Sequence, residues 1–295
     1  MAKKQPKTEK LGFVNVDKPS GILSSAVVNK LKWLTGIPCG HMGTLDPLAS
    51  GVLPVGIGNA TRLFDYFLQK RKKYIARFEF GVTSDTLDST GALVYGGRVP
   101  TAKEIEEVIP TLTGEIMQIP PKYSAKSVGG QRGYDLARAG VDFQLSPKQV
   151  RIESIRLLGA GTDNAFDFEI VCGGGTYIRS IARDMGEALG TQALMSALRR
   201  TQSGVFTIEK AVPFDEIVAH EGDIRWLEER IIPTDEVLPF EPLILTAKNK
   251  DKIFDGVSIA TDAADGIYKY YRDDGAFYGL ATVKDGKAKL TTKLC

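Results

Sequence analysis

The sequence is poor in the residues that hold metals and disulfides. Its 295 residues include three cysteines (Cys39, Cys172 and Cys295) and two histidines (His41 and His220). The cysteines are far apart, odd in number and form no CxxC pair, which argues against a disulfide scaffold and fits a reducing compartment. So few soft ligands argue against a zinc or related metal site. No apolar run reaches membrane-spanning length. The N-terminal MAKKQPKTEK has no apolar segment behind it, so a disordered basic arm on a cytoplasmic protein is expected. Three nucleotide and nucleophile signatures are also missing: GxxxxGK[ST], GxSxG, and a GxGxxG joining strand to helix. The net charge is only +2. Any nucleic-acid contact must therefore come from local patches.

What is present suits one large domain, or one domain with a small appendage. The apolar fraction of 43% and charged fraction of 25% are those of an ordinary globular chain. Phe13 to Val16 reads as a buried strand. Ser24 or Ser25 is placed to cap a helix from Ala26 to Thr35, with Val28, Leu31 and Leu34 on one face. Ala60 to Gln69 reads as a helix. Lys70 to Lys73 form a basic cluster, and YIARFEF alternates as a strand does. Leu93 to Val99 reads as a strand, and Thr101 with Glu104 makes a capping box for a helix to about Leu112. Ile152 to Leu158 and Phe166 to Cys172 read as paired strands. Three glycines, 173 to 175, then open a helix with Ile178, Ile181, Ala182 and Met185 facing inward. Thr191 is placed to cap a further helix ending near Arg200. Strands and helices in this irregular order predict an α+β fold with a largely antiparallel sheet. Three prolines between Pro233 and Pro242 mark a boundary. Asp-Gly pairs starting at 255, 265, 274 and 285 predict a small β-barrel-like tail.

Pro120 to Arg151 differs in character. It carries Lys122, Lys126, Arg132, Arg138, Lys148 and Arg151 against Asp135 and Asp142, with Tyr123, Tyr134 and Phe143 interleaved. It reads either as an RNA-contacting excursion, with bases stacking on its rings, or as a solvated helix with ordinary loops.

The stretch GHMGTLDPLASGVLPVGIGNATRL, from Gly40 to Leu63, places Asp46 at the lip of an uncharged run that lasts until Arg62. A carboxylate there is costly unless it is paired or used. Asp-Pro also opens turns and caps helices, which is the plainer reading. A buried aspartate becomes a nucleophile or base when a cation fixes its ionised form. Arg179, early in the helix after the glycines, is the best candidate for that cation, although it could equally pair along its own helix. Tyr74 ends the basic cluster, either as a core-edge residue or as a ring that stacks on a planar ligand. His41 is an acid/base candidate or a turn residue.

These residues resemble the TruB family, the bacterial synthases that make pseudouridine 55 in the T loop of tRNA. NVDKPSG and GHMGTLDPLASGVLPVGIGNATRL are similar to its first two motifs. KKYIARFEFGVTSDTLDSTG, IPPKYSAKSVGGQRGYDLARAG, GTYIRSIARDMGEALG and LRRTQSGVF follow in family order. Met42 stands where relatives often carry threonine or another small residue. The resemblance implies Asp46 as the catalytic aspartate, Tyr74 as the tyrosine against the target base, and Arg179 as the partner of the aspartate. It implies Tyr177 and Leu198 as pocket walls, His41 as the residue that holds the flipped-out loop, and Lys18 and Pro19 as a buttress.

For the fold, the resemblance implies a pseudouridine-synthase-type mixed sheet with flanking helices in a catalytic domain over residues 1–238. Residues 1–10 would be a flexible arm and about 120–151 a thumb insertion, followed by a PUA-like RNA-binding module over 239–295. It also implies a monomer acting on the T-arm stem-loop of tRNA, with no cofactor, metal, membrane or DNA. The alternative is a tRNA-binding or folding protein in which catalysis is secondary. A glycosidase-like hydrolase is weaker, since it would want a second carboxylate in the motif.

Overall fold

The computed structural model describes residues 8–124, 127–128, 131–132, 141, 143, 145–162, 164–245 and 250–295. An eleven-stranded mixed sheet forms the body. Its first half contains β1 (Gly12–Lys18), β2 (Cys39–His41), β3 (Ser50–Ile57) and β4 (Lys72–Phe80). A short hairpin of β5 (Val82–Ser84) and β6 (Leu93–Tyr95) stands apart from it. Next come β7 (Gly114–Gln118) and a separate two-stranded pair, β8 (Ser127–Val128) with β9 (Gln131–Arg132). Its other long strands are β10 (Lys148–Thr162), β11 (Ala165–Cys172) and β12 (Ala193–Ser203), and three two-residue strands, Phe206–Thr207, Val212–Pro213 and Ile232–Pro233, complete the eleven. Its central order is β1-β3-β12-β4-β11-β10-β7, and β12 meets β3 in parallel while its other long neighbours are antiparallel.

The apolar run after Asp46 becomes β3, buried along nearly its whole length. It must be apolar on both sides because both faces are covered. Leu53, Val55 and Ile57 join the main core, and Val52 faces a second cluster with Phe13, Met42 and Phe67. Helices α1 (Ser24–Thr35), α2 (Phe64–Leu68), α3 (Ala102–Val108) and α4 (Ile178–Ala188) flank the sheet. Leu31 and Leu34 of α1 and Ile178, Ile181 and Met185 of α4 fill the main core. A separate five-stranded sheet between Pro242 and Lys293 has its own core around Ile253, Tyr278 and Val283. Leu280 and Leu294 also reach the second cluster, so this tail packs behind the β3 side of the sheet.

Several sequence expectations change. The segment expected to be a helix ending near Arg200 is strand β12. Its alternation is hidden by register shifts between Met195 and Ala197 and between Arg200 and Gln202. Thr191 caps nothing there, and its hydroxyl donates to the Arg98 carbonyl. Ser24 is not a helix cap. Leu23 holds that position, and the Ser24 hydroxyl bonds both backbone groups of Leu45. The expected helix over 60–69 splits into a 3-10 turn and the short α2. The Leu93–Val99 strand ends at Tyr95. Residues 148–151 belong to the sheet through β10, paired with β7. Thr8, expected in a disordered arm, is buried and donates to Glu228 at 2.6 Å. The capping box at Thr101 and Glu104 forms as expected. Part of the basic excursion, including Lys126, Arg138 and Tyr134, lies outside the described residues.

Candidate active site

The loop between β2 and β3 carries Asp46, and its backbone is tied down almost residue by residue. Met42 N–H donates to Pro54, and Ser24 holds Leu45. Ala49 N–H donates to the carbonyl of Asp46 itself, and Gly21 N–H to that of Pro47. The Ser20 hydroxyl donates to Leu48 at 2.6 Å. The loop that presents the carboxylate is thereby held by backbone and serine side-chain contacts from the 20–24 segment and from β3, a degree of order that positioned chemistry requires.

Arg179, in the first turn of α4, meets it. Its Nε lies 2.9 Å from Asp46 Oδ2, and Nη2 donates to Oδ1 at 3.1 Å. This side-by-side pairing matches the planar fork of a guanidinium to the two oxygens of a carboxylate. Nη1 donates to the Thr86 carbonyl at 2.9 Å, and Nη2 also donates to that of Tyr123 at 3.0 Å. Arg179 Nη1 further lies 3.5 Å from Asp88 Oδ2. The exposures within the pair differ: the Arg179 side chain is 7% exposed and that of Asp46 34%. The acid is thus the member left open to a ligand. Burial pushes the Asp46 carboxyl up, the Arg179 guanidinium pulls it down, and the charge of Asp88 pushes it up again. A bidentate pair with both oxygens engaged is the geometry of the ionised form.

Tyr74 is buried on β4, opposite Arg200 of β12. Burial pushes its phenol up to about 12, against the pull of Arg200. Leu198 lies two residues before Arg200 on the same inward face, opposite Ala76. Tyr177 immediately precedes α4. Its backbone is fixed by the side-chain amide of Gln118, and burial raises its phenol, with Arg179 and Asp46 acting on it in opposite senses. Lys18 is fully buried at the end of β1. Its Nζ donates to the carbonyls of Pro19, Ile22 and Pro47 at 2.9, 2.8 and 3.4 Å. It therefore braces the Asp46 loop from beneath, with Pro19 as one of the bracing points. Desolvation lowers its amine to about 8, opposed by attraction to Asp46. His41, on β2, is lowered by burial, and its Nδ1 has no hydrogen-bond partner among the described residues. It lines an open cavity of about 380 Å³ with Gly40, Met42, Thr61 and Phe64. Asp46 is not part of that wall.

Two residues at the site, Asp88 and Arg200, go unnoticed in the sequence, and a third, Lys72, is read there only as part of a basic cluster. Asp88 sits in what reads as a polar loop, yet it is buried, and its Oδ1 accepts from Thr86 and from both the backbone and hydroxyl of Thr90. The preceding Leu87 has φ of 60°, strained for a branched residue. Arg200 is 1% exposed and spends its N–H groups on backbone carbonyls. Lys72, part of the basic cluster read over 70–73, points inward because the alternation of β4 puts it on the buried face. Its amine donates to Leu68 and Lys70 and is lowered by burial to about 8. Its neighbours Arg71 and Lys73 pair with Glu153 and Glu169.

Comparison with known sequences decides the family. A profile described as "TruB family pseudouridylate synthase (N terminal domain)" matches residues 32–178, and "tRNA pseudouridylate synthase B C-terminal domain" matches 179–239. The tRNA pseudouridine synthase B of Acaryochloris marina is 37% identical over 286 residues, covering 95% of this chain and 97% of that protein. The chain belongs to the TruB family. The protein of the same name from Gluconobacter oxydans is 44% identical over 208 residues, which is 70% of this chain and 62% of that one. The fold also matches a solved Cbf5-Nop10-Gar1 complex at a TM-score of 0.70 and 22% identity, covering 99% of this chain and 92% of that one. As a family member, the chain bridges the two matched segments with its central ion pair: Asp46 lies in the first and Arg179 opens the second.

Proposed function

We propose that this chain converts uridine to pseudouridine at position 55 in the T loop of tRNA, with the target base flipped out of its stack. The bidentate pair of Asp46 and Arg179, with the acid as its exposed member, carries this assignment within the family. Asp46 engages the nucleoside as a carboxylate while the N-glycosidic bond breaks. Uracil then turns in the pocket, C5 bonds to the sugar carbon, C5 loses its proton and N1 gains one. The product is an isomer of the substrate, so the step needs no oxidant or water. Tyr74 packs against the base. Tyr177 and Leu198 wall the pocket, Lys18 and Pro19 buttress the loop, and His41 holds the displaced strand of the RNA.

Residues 1–238 form the catalytic domain, whose packed body already includes Thr8, and a thumb spans about 120–147, stopping where strand β10 begins. Residues 239–295 form a PUA-like module that adds RNA contact. The protein acts as a monomer in the cytoplasm. No helix among the described residues is long and apolar enough to cross a membrane. The decisive experiment maps pseudouridine in a bare T-arm stem-loop incubated with purified protein. Wild type should modify one uridine, and Asp46→Asn should bind the RNA and modify none. Pseudouridine formed by Asp46→Asn at the wild-type rate removes the aspartate from the mechanism, and free uracil in the supernatant points to a hydrolase. Deleting residues 127–140 should weaken RNA binding and flatten its salt dependence, with less effect on the rate at saturating enzyme.

A further inference from the structure

Arg200 is a buried cation with no carboxylate beside it among the described residues, and burying such a charge is costly. Its contacts show where that cost is offset. Its Nε donates to the Val52 carbonyl at 2.7 Å and its Nη2 to the Gly43 carbonyl at 3.0 Å. Those two carbonyls, one early in the loop that carries Asp46 and one in β3 after it, lie on either side of Asp46 along the chain. The backbone of Arg200 also runs beside Gly51 in parallel register. A Cβ at Gly51 would sit 2.2 Å from the Arg200 carbonyl oxygen, so the strands close here only around a glycine, whose φ is +101°. On its other side Arg200 faces Tyr74 across the β4–β12 register.

We infer that Arg200 is a positioning residue for the isomerisation: it sets the span of the Asp46 loop from both sides and holds it in fixed relation to the strand that carries Tyr74. This rests on the activity proposed above. A planar guanidinium suits the task because its donors diverge from a rigid plane and stay protonated when buried. A lysine in its place has one nitrogen and cannot hold two carbonyls at the same fixed separation. The pull of the guanidinium on the Tyr74 phenol, opposing its burial, is consistent with the same placement.

Arg200→Lys and Arg200→Gln are the test, each compared with wild type for single-turnover pseudouridine formation at saturating tRNA, tRNA dissociation constant and thermal unfolding. Arg200→Gln removes the buried charge and keeps one donor arm, so it guards against a misfolded lysine variant. The expected result is a dissociation constant within about twofold of wild type and a rate lowered by about 100-fold, the scale of a small misplacement of reacting groups. A folded variant that reacts within about threefold of wild type overturns the inference. So does a rate that falls only in step with the folded fraction, or a dissociation constant that rises as much as the rate falls. Wild type that makes no pseudouridine overturns the activity itself, and the inference with it; an active wild type confines the failure to Arg200.

Discussion

Two buried charge clusters flank the Asp46 loop and are built by opposite rules. Towards α4, one cation serves two acids: Arg179 lies between Asp46 and Asp88. Towards β12, cations gather with no carboxylate at ion-pair distance among the described residues, and only Lys18 feels Asp46 from further off. Lys18, Lys72 and Arg200 direct their N–H groups at backbone carbonyls, and Lys72 and Arg200 both approach within 4 Å of a Cβ built on Gly43. The first cluster fixes a reactive carboxylate by charge. The second fixes the chain around it by hydrogen bonds to the backbone. An arginine is needed in both, but only the first uses it as a counter-ion.

Breaking the first cluster has the largest expected effect. Arg179→Ala should lose most activity. It should also destabilise the protein by about 3–5 kcal/mol, because Asp88 is left buried without its cation. Adding Asp88→Asn to that variant should recover part of the stability and none of the rate. Chemical unfolding of the single and double variants, alongside pseudouridine formation, separates the two effects. Recovery of rate by the second substitution would show that Arg179 acts through Asp88 and not through Asp46.

The second cluster should appear in the pH dependence of stability. Lys18 and Lys72 have amines lowered by burial to about 8, against 10.5 for a free lysine. Below pH 8 they are charged in both folded and unfolded chains, and the cost of burial is present in full. Between pH 8 and 10.5 the unfolded chain holds more protons, so stability rises with pH. Each lysine should contribute about 1 kcal/mol of that rise between pH 8 and 9. Cys172, raised by burial to about 11, acts in the opposite direction once pH approaches the ordinary thiol value of 9.0. Denaturant midpoints at pH 8 and 9 should therefore increase for wild type and increase less for Lys72→Met.

The difference between the clusters also explains which parts were legible from residue order. Asp46 stands out because it is the lone charge beside a long apolar run, and Arg179 because it follows three glycines at a helix start. Strand β4 shows itself by alternation, and the Asp285-Gly286 turn by chemistry: both residues have positive φ, as a two-residue hairpin requires. Asp88 and Arg200 leave no such trace. Their burial is imposed by tertiary contacts, and the shifted register of β12 erases the periodicity that would have placed Arg200 inward. A serine before a helix suggests a cap, yet Ser24 spends its hydroxyl on Leu45, a partner that only the folded chain brings near.

The smallest expected effect lies one residue from Lys72. Lys73 has the same charge and the same strand, but it points outward and pairs with Glu169 at 2.7 Å, with 35% and 20% of the two side chains exposed. A partly solvated pair of this kind contributes about 0–1 kcal/mol. Lys73→Met should therefore change the denaturant midpoint little and keep the full rise in stability between pH 8 and 9. If Lys73→Met flattens that rise as much as Lys72→Met does, burial on the inner face of β4 is not its source. The pH signature would then have to come from the surface charge of the whole strand, and the cationic cluster would lose its distinction from ordinary exposed lysines.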